Sequence, residues 1–70
     1  MYNTFTQMPS VPWSTVPGPR SIGYHHDDEE EAFKCHASIV RQLQAFNMVG
    51  CVVITTFIEE EFHRTEIRRQ

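Results

Sequence analysis

The sequence has no apolar run that approaches the roughly 20 residues of a membrane-spanning helix. Its N-terminus also lacks the basic and apolar regions of a secretory signal peptide. Positive charge is scarce, because six Lys and Arg face nine Asp and Glu, and the formal net charge is −3. Nucleic-acid-binding proteins usually carry clustered Lys and Arg. We therefore expect a cytoplasmic protein whose partners include neither membranes nor nucleic acid.

Cysteine is also scarce, and the two residues present, Cys35 and Cys51, are expected to be free thiols. Cys35 falls in a predicted helix, and Cys51 begins the predicted strand that follows it. If that strand runs back along the helix, the two residues lie about 15 Å apart, whereas a disulfide needs Cα atoms within about 7 Å. The pattern favours two small buried side chains without a covalent link.

No catalytic motif or metal-ligand spacing appears in the sequence. The His and Cys residues form no CxxC, HxxxH or HExxH pattern. Cys35 and His36 are neighbours on a predicted helix and point about 100° apart, so they do not form a nucleophile and base pair. A chain of 70 residues also has little interior in which to build a concave catalytic site. We therefore expect a protein that is not an enzyme and needs no metal or cofactor.

An amphipathic helix over residues 28 to 47 is the clearest structural prediction. Its apolar side chains recur at the spacing that gathers them on one helical face: Ala32, His36, Ile39, Val40, Leu43 and Phe46. Asp28 is the expected N-cap, and Asn47 is the expected left-handed residue at the other end. An isolated helix of this length is marginal in water, so the rest of the chain or a second subunit must cover its apolar face.

Residues 50 to 58 are rich in β-branched and aromatic side chains and predict the central strand of a small sheet. Residues 21 to 26 predict a short strand before the helix, and residues 2 to 8 predict a strand at the sheet edge. Residues 59 to 70 fit a charged helix and an extended strand about equally well. The predicted fold is α+β, a single small domain in which one amphipathic helix packs on a mostly antiparallel sheet.

Residues 1 to 20 are predicted to form a proline-rich arm, and residues 21 to 70 a strand-helix-strand core with a charged tail. Four prolines between residues 9 and 20 exclude a regular helix there. Trp13 lies in the middle of this stretch. We expect its ring to fold back and cap the core, since an aromatic ring buries about 150–250 Å². The alternative is that Trp13 anchors a partner protein.

His36 lies in the middle of the predicted apolar face of the helix. A buried imidazole needs hydrogen-bond partners, and we expect Tyr24 or a neighbouring strand to supply them. Two other roles remain open for this side chain, namely a proton-linked switch and a metal ligand.

The sequence therefore predicts a small accessory or regulatory protein that acts by binding another protein. Proteins of this size include inhibitors that viruses and phages direct against their hosts, a comparison that rests on size alone. The predicted contact residues lie in the arm, at the acidic helix start and in the C-terminal segment: Trp13, Asp27, Asp28, Glu30, Glu60, Arg64 and Arg68. We expect a homodimer if the central strand exposes a second apolar face, and a monomer if the arm covers it. The alternative function is a metal- or redox-responsive regulator that uses His25, His36 and Cys35.

Overall fold

The computed structural model describes residues 1–69, and Gln70, the last residue of the predicted charged tail, lies outside the described residues. The elements follow in the order β1 (Tyr2–Gln7), β2 (Tyr24–His26), α1 (Glu29–Ala45), β3 (Val52–Phe57) and β4 (Glu60–Glu66). The strands form one antiparallel sheet in the spatial order β2-β1-β3-β4. The helix packs on one face of this sheet, mainly over β1, β2 and β3. The predicted α+β fold is confirmed.

The first strand is central and not peripheral. The prediction of an edge strand is wrong, because β1 pairs with β2 on one side and with β3 on the other. Thr4, Phe5 and Thr6 are all buried, so both faces of β1 are covered. The prediction that β3 is an interior strand is confirmed, since it lies between β1 and β4.

Of the two alternatives for the C-terminal segment, the structure has the strand. A tight turn at Ile58 and Glu59 joins β3 to β4, and Ile58 adopts a φ of 60°. This left-handed conformation is rare for a β-branched residue, which explains why the sequence shows no recognisable turn. The register then shifts by one residue, because His63 pairs with Thr55 while Glu61 pairs with Thr56. The residue between them, Phe62, forms a β-bulge.

The helix begins and ends as its sequence predicts. The Asp28 side chain caps it by accepting a hydrogen bond from the backbone N–H of Glu30 at 3.2 Å. At the other end Asn47 has a φ of 54°, and the N–H of Met48 donates to the carbonyl of Leu43. This pattern of a left-handed residue and a bond spanning the last turn is the Schellman motif.

Burial of the predicted apolar helical face decreases along α1. Ala32 and His36 are buried, and the next three residues of that face are half-buried: Ile39, Val40 and Leu43. The assignment of Phe46 to the packed face is wrong, because its side chain is 78% exposed. Phe46 is the C-cap residue, where the chain has already left the helical spiral.

Both faces of the sheet contain buried side chains. Side chains alternate between them along each strand, so Thr55 faces the helix while its neighbour Ile54 faces away. The most buried residues lie between the helix and the sheet: Thr4, Ala32, His36, Cys51, Val53, Thr55 and Ile67. On the other face Phe5 and Ile54 are buried although α1 is absent from that side.

The proline-rich arm leaves the end of β1 and returns beside it. The N–H of Met8 donates to the carbonyl of Pro19 at 3.0 Å, and the N–H of Ser21 donates to the carbonyl of Thr6 at 2.9 Å. These bonds hold the base of the arm as an extension of β1 and direct the rest of it away from the core. Trp13 is 85% exposed, so the prediction that its ring caps the core is wrong.

Candidate functional site

One end of the sheet brings together residues from every element. One residue of each strand lies in a row across the sheet at this end: His26 of β2, Tyr2 of β1, Phe57 of β3 and Glu60 of β4. The helix begins only three residues after His26, so its first turn lies at this end of the sheet. The β3–β4 turn lies here as well, and the N–H of Ile58 donates to the carbonyl of Met1 at 3.0 Å.

Four aromatic side chains at this end pack against one another, and we refer to Tyr2, Phe33, Phe57 and Phe62 as the aromatic cluster. The ring centroids of Tyr2 lie 4.7 Å from Phe57 and 5.4 Å from Phe62, and Phe33 lies 5.4 Å from Phe62. These separations fall in the range of favourable aromatic pairs. The three Phe side chains nevertheless remain between 41% and 43% exposed. The cluster is therefore an ordered apolar surface in contact with solvent.

Negative charge surrounds the aromatic cluster on two sides. Eight of the nine acidic residues fall in two runs, residues 27–31 at the helix start and residues 59–61 at the β3–β4 turn. The pKa of Tyr2 is raised, first by desolvation and then by the negative charges of Glu29 and Asp28, and Glu29 and Glu30 lie beside Phe33. Two ion pairs partly offset this charge, Lys34 with Glu30 at 3.5 Å and Arg64 with Glu61.

Open depressions adjoin the aromatic cluster on opposite sides. One, with a volume of about 430 Å³, is lined by Glu29, Glu30, Phe33, Lys34 and Ala37. Another, with a volume of about 540 Å³, is lined by Phe57, Ile58, Glu59 and Glu60. Each combines a Phe ring with carboxylates, and the first also includes the ammonium group of Lys34.

A chain of hydrogen bonds lies beneath the helix, next to the aromatic cluster. The hydroxyls of Thr4 and Thr55 are 2.7 Å apart, and Thr55 Oγ1 is 2.9 Å from Nδ1 of His36. The other ring nitrogen, Nε2, is 2.9 Å from Oγ1 of Thr65. The prediction that a neighbouring strand supplies the partners of His36 is confirmed, and the strands are β3 and β4. Because a hydroxyl donates and accepts, the neutral imidazole is fully satisfied in either tautomer.

Two features of this environment keep His36 uncharged. Burial and the nearby imidazole of His63, whose ring centroid is 4.3 Å away, together lower the pKa of His36 to about 4. The side chains that face the ring from β3 and β4 are Thr55, His63 and Thr65, so no carboxylate contacts it from these strands. His36 is therefore a neutral structural residue near pH 7.

The residues proposed for a metal- or redox-responsive site do not converge. His25 pairs with Asn3 and faces away from the helix, whereas His36 lies beneath it. Within residues 1–69, no group of three or more His, Cys, Asp and Glu side chains is arranged to hold a metal ion. Cys35 and Cys51 are free thiols, and burial raises the pKa of Cys35, which opposes formation of the reactive thiolate.

The predicted contact residues separate into groups. Four of them lie at the end of the sheet that carries the aromatic cluster: Asp27, Asp28, Glu30 and Glu60. Arg64 faces away from the helix and pairs with Glu61, and Arg68 pairs with Glu66 near the far end of β4. Trp13 lies alone in the arm, with an almost fully exposed ring.

The sequence interpretation did not identify the aromatic cluster. Tyr2, Phe57 and Phe62 come together only through the strand register, which is not visible in the sequence. Phe33 is the exception, because Phe33, Ala37 and Val40 form a second apolar stripe at helical spacing beside the main one. That stripe was the available signal for an exposed aromatic residue on the helix.

No known protein family, curated protein sequence or solved structure matches this chain. Among the described residues, no helix has both the length and the apolar character that crossing a membrane requires. The arrangement of side chains is therefore the basis for any statement about function.

Proposed function

We propose that this chain is a small non-enzymatic protein that acts by binding another protein through the aromatic cluster. The observation that carries the proposal is the exposure of three packed Phe rings at one end of a small sheet. Scattered exposed apolar residues need no explanation, but a contiguous apolar surface marks an interaction site. Aromatic residues are also enriched among the side chains that dominate binding energy.

The charge around the aromatic cluster defines the chemistry of the partner. The acidic runs at residues 27–31 and 59–61 adjoin the apolar rings, with Glu29 and Glu30 beside Phe33 and with Glu59 and Glu60 beside Phe57. A complementary partner presents an apolar side chain flanked by Lys or Arg, because opposite charges at the rim favour encounter and fix orientation. Glu30 and Glu60 are then rim residues, and Phe33 and Phe62 lie at the centre.

A peptide selection on the folded protein tests this proposal. A random peptide library displayed on phage is selected against the immobilised chain, and the enriched peptides are then synthesised. We expect apolar residues flanked by Lys and Arg, with affinity that falls as salt is added. Phe33→Ala should weaken binding by about 2 kcal/mol, or roughly thirtyfold, as expected of a central aromatic contact.

Trp13→Ala is the matched control for Phe33→Ala, because it also removes an exposed aromatic ring but lies outside the cluster. The control should bind the peptides as the parent does. Binding that is lost with Trp13→Ala and retained with Phe33→Ala would reject the aromatic cluster and assign recognition to the arm.

A further inference from the structure

The two edges of the sheet differ in their protection. β2 is only three residues long, and it is preceded by an irregular stretch in which Ile22 is 90% exposed. β4 is seven residues long and forms the opposite edge, while the helix packs mainly over the other strands. Residues 60–69 contain neither Lys nor Pro, which commonly protect edge strands from pairing, and the β-bulge at Phe62 protects only the start of β4, so residues 63–66 continue as a regular strand. The outer edge of β4 therefore presents unpaired backbone donors and acceptors.

The backbone hydrogen bonds show which residues of β4 point outward. The N–H of Ile67 donates to the carbonyl of Cys51, and the carbonyl of Ile67 accepts from the N–H of Gly50. Both backbone groups of Ile67 thus point inward, toward β3, and so do those of Thr65 by the alternation of the strand. The N–H and C=O groups of Arg64 and Glu66 consequently point outward, to the free edge.

A second copy of this chain fits this edge in one register. Two-fold symmetry makes the pairing antiparallel, and outward-pointing residues must oppose one another. With Thr65 opposite Thr65, Arg64 of each copy lies opposite Glu66 of the other. The two neighbouring registers place Arg64 opposite Arg64 or Glu66 opposite Glu66, and like charges directly opposite are destabilising.

We propose that the chain forms a homodimer through β4, with Thr65 on the two-fold axis. The two sheets become one continuous sheet of eight strands, and Arg64 and Glu66 exchange four backbone hydrogen bonds across the axis. The β-bulge at Phe62 lies beyond this central stretch and leaves its pairing intact. This dimer differs from the one expected from the sequence, because it joins the edges of two sheets and not their second faces. The pairing uses backbone groups of β4 and not the rings of the aromatic cluster, so it is a separate proposal from the binding function.

Charge reversal tests the register. In the variants Arg64→Glu and Glu66→Arg, like charges face each other across the axis, and each dimer should dissociate with a constant raised roughly tenfold or more. An equimolar mixture restores both opposite-charge contacts, so it should form a heterodimer with about the parent affinity. Sedimentation equilibrium measures all three samples, and circular dichroism verifies that each variant is folded. Lys34→Glu, a charge reversal on the helix, is the control and should dimerise as the parent does.

Disulfide trapping tests the axis. Opposite Thr65 residues form a non-hydrogen-bonded pair with Cα atoms about 4.5 Å apart, within the range of roughly 4.4–6.8 Å that a disulfide spans. In a Cys35→Ser background, Thr65→Cys should therefore form a covalent dimer on mild oxidation, whereas His63→Cys, opposite Ile67, should remain largely monomeric on a denaturing gel. A parent chain that is monomeric at millimolar concentration, or a mixture that associates no better than the single charge variants, would overturn the proposal.

Discussion

The two faces of the sheet are closed by different means. The face beneath the helix has a polar centre, in which Thr4, Thr55, His36 and Thr65 form a continuous series of hydrogen bonds. On the opposite face Phe5 and Ile54 form a small apolar centre, and the guanidinium of Arg20 lies 4.8 Å from the centre of the Phe5 ring. The helix-covered face therefore depends on the geometry of its hydrogen bonds, and the other face depends on the area of its apolar contacts.

This difference shows how a 70-residue chain with a single helix buries side chains on both faces of its sheet. When one partner of a buried hydrogen bond is removed, the other partner stays buried without a bond, and the fold loses the full desolvation free energy of that group. When an apolar side chain is shortened, the free energy of unfolding falls in proportion to the apolar area that is no longer buried. Changes to the helix-covered face should therefore cost more than changes of similar size to the other face.

His36→Ala should have the largest effect on stability. It removes a buried ring, takes the imidazole partner from the hydroxyl of Thr65 and leaves the hydroxyl of Thr55 with Thr4 alone, so the free energy of unfolding should fall by about 3–4 kcal/mol. Urea denaturation followed by circular dichroism measures the change. His25→Ala is the control, because His25 is exposed on the opposite face, and it should alter stability by less than about 0.5 kcal/mol. Equal losses for the two variants would contradict the difference between the faces.

Acid should weaken the helix-covered face in particular. The pKa of His36 in the folded protein is about 4, below the ordinary value of 6.5, so the unfolded chain binds the proton first as pH falls. Stability should be complete above pH 6.5 and decline down to about pH 4, with a loss of about 3 kcal/mol attributable to His36. Urea midpoints measured across this pH range provide the test. In His36→Gln the decline should be much smaller, and an equally steep decline in that variant would exclude His36 as its source.

Ile54→Ala should cost less than His36→Ala. Ile54 is buried on the face without the helix, where neighbouring side chains can move inward and fill part of the cavity. We expect a loss of about 2 kcal/mol, at the low end for a buried Ile. The same urea experiment measures it. A loss as large as that of His36→Ala would show that the two faces are equally rigid.

Arg20→Ala should have the smallest effect of the four. It removes the cation–π contact with Phe5 and the hydrogen bond from Nε of Arg20 to Oε1 of Gln7, which is 2.7 Å long. Both interactions are made by the surface side chain of Arg20, so the free energy of unfolding should fall by about 0.5–1 kcal/mol. Trp13→Ala, in the same arm but without a core contact, should leave the urea midpoint unchanged. A larger loss with Trp13→Ala would show that the arm packs on the sheet in solution.

The helix was predictable because its signals are local. Capping by Asp28, the left-handed Asn47 and the spacing of Ala32 and His36 all lie within a few residues of one another. The centrality of β3 was predictable for the same reason, since Val53 and Ile54 are apolar on alternating faces. These features depend on short-range geometry, which the sequence displays directly.

The remaining features depend on long-range pairing or on unusual backbone geometry. The position of β1 follows from its register with β3, and the β3–β4 turn uses Ile58 in a conformation that Gly or Asn normally supplies. The candidate site could not be predicted for the same two reasons. Tyr2 and Phe57 come into contact through the register of β1 with β3, and the position of Phe62 depends on the bulge that follows the β3–β4 turn. Trp13 is the one aromatic residue between residues 9 and 20, and this position in the sequence does not predict whether its ring packs on the core.

The pairing of β1 with β3 has a consequence for how the chain folds. These two strands are far apart in the sequence, and the hydrogen-bonded residues Thr4 and Thr55 are separated by 51 positions. Such a high contact order implies slow folding, since a long loop must close before the pairing can stabilise it. During synthesis β1 and β2 leave the ribosome before β3, so the pairing of β1 with β3 forms only after the helix has been made. Loss of the first seven residues would accordingly remove the middle of the sheet and leave β2 without a neighbouring strand.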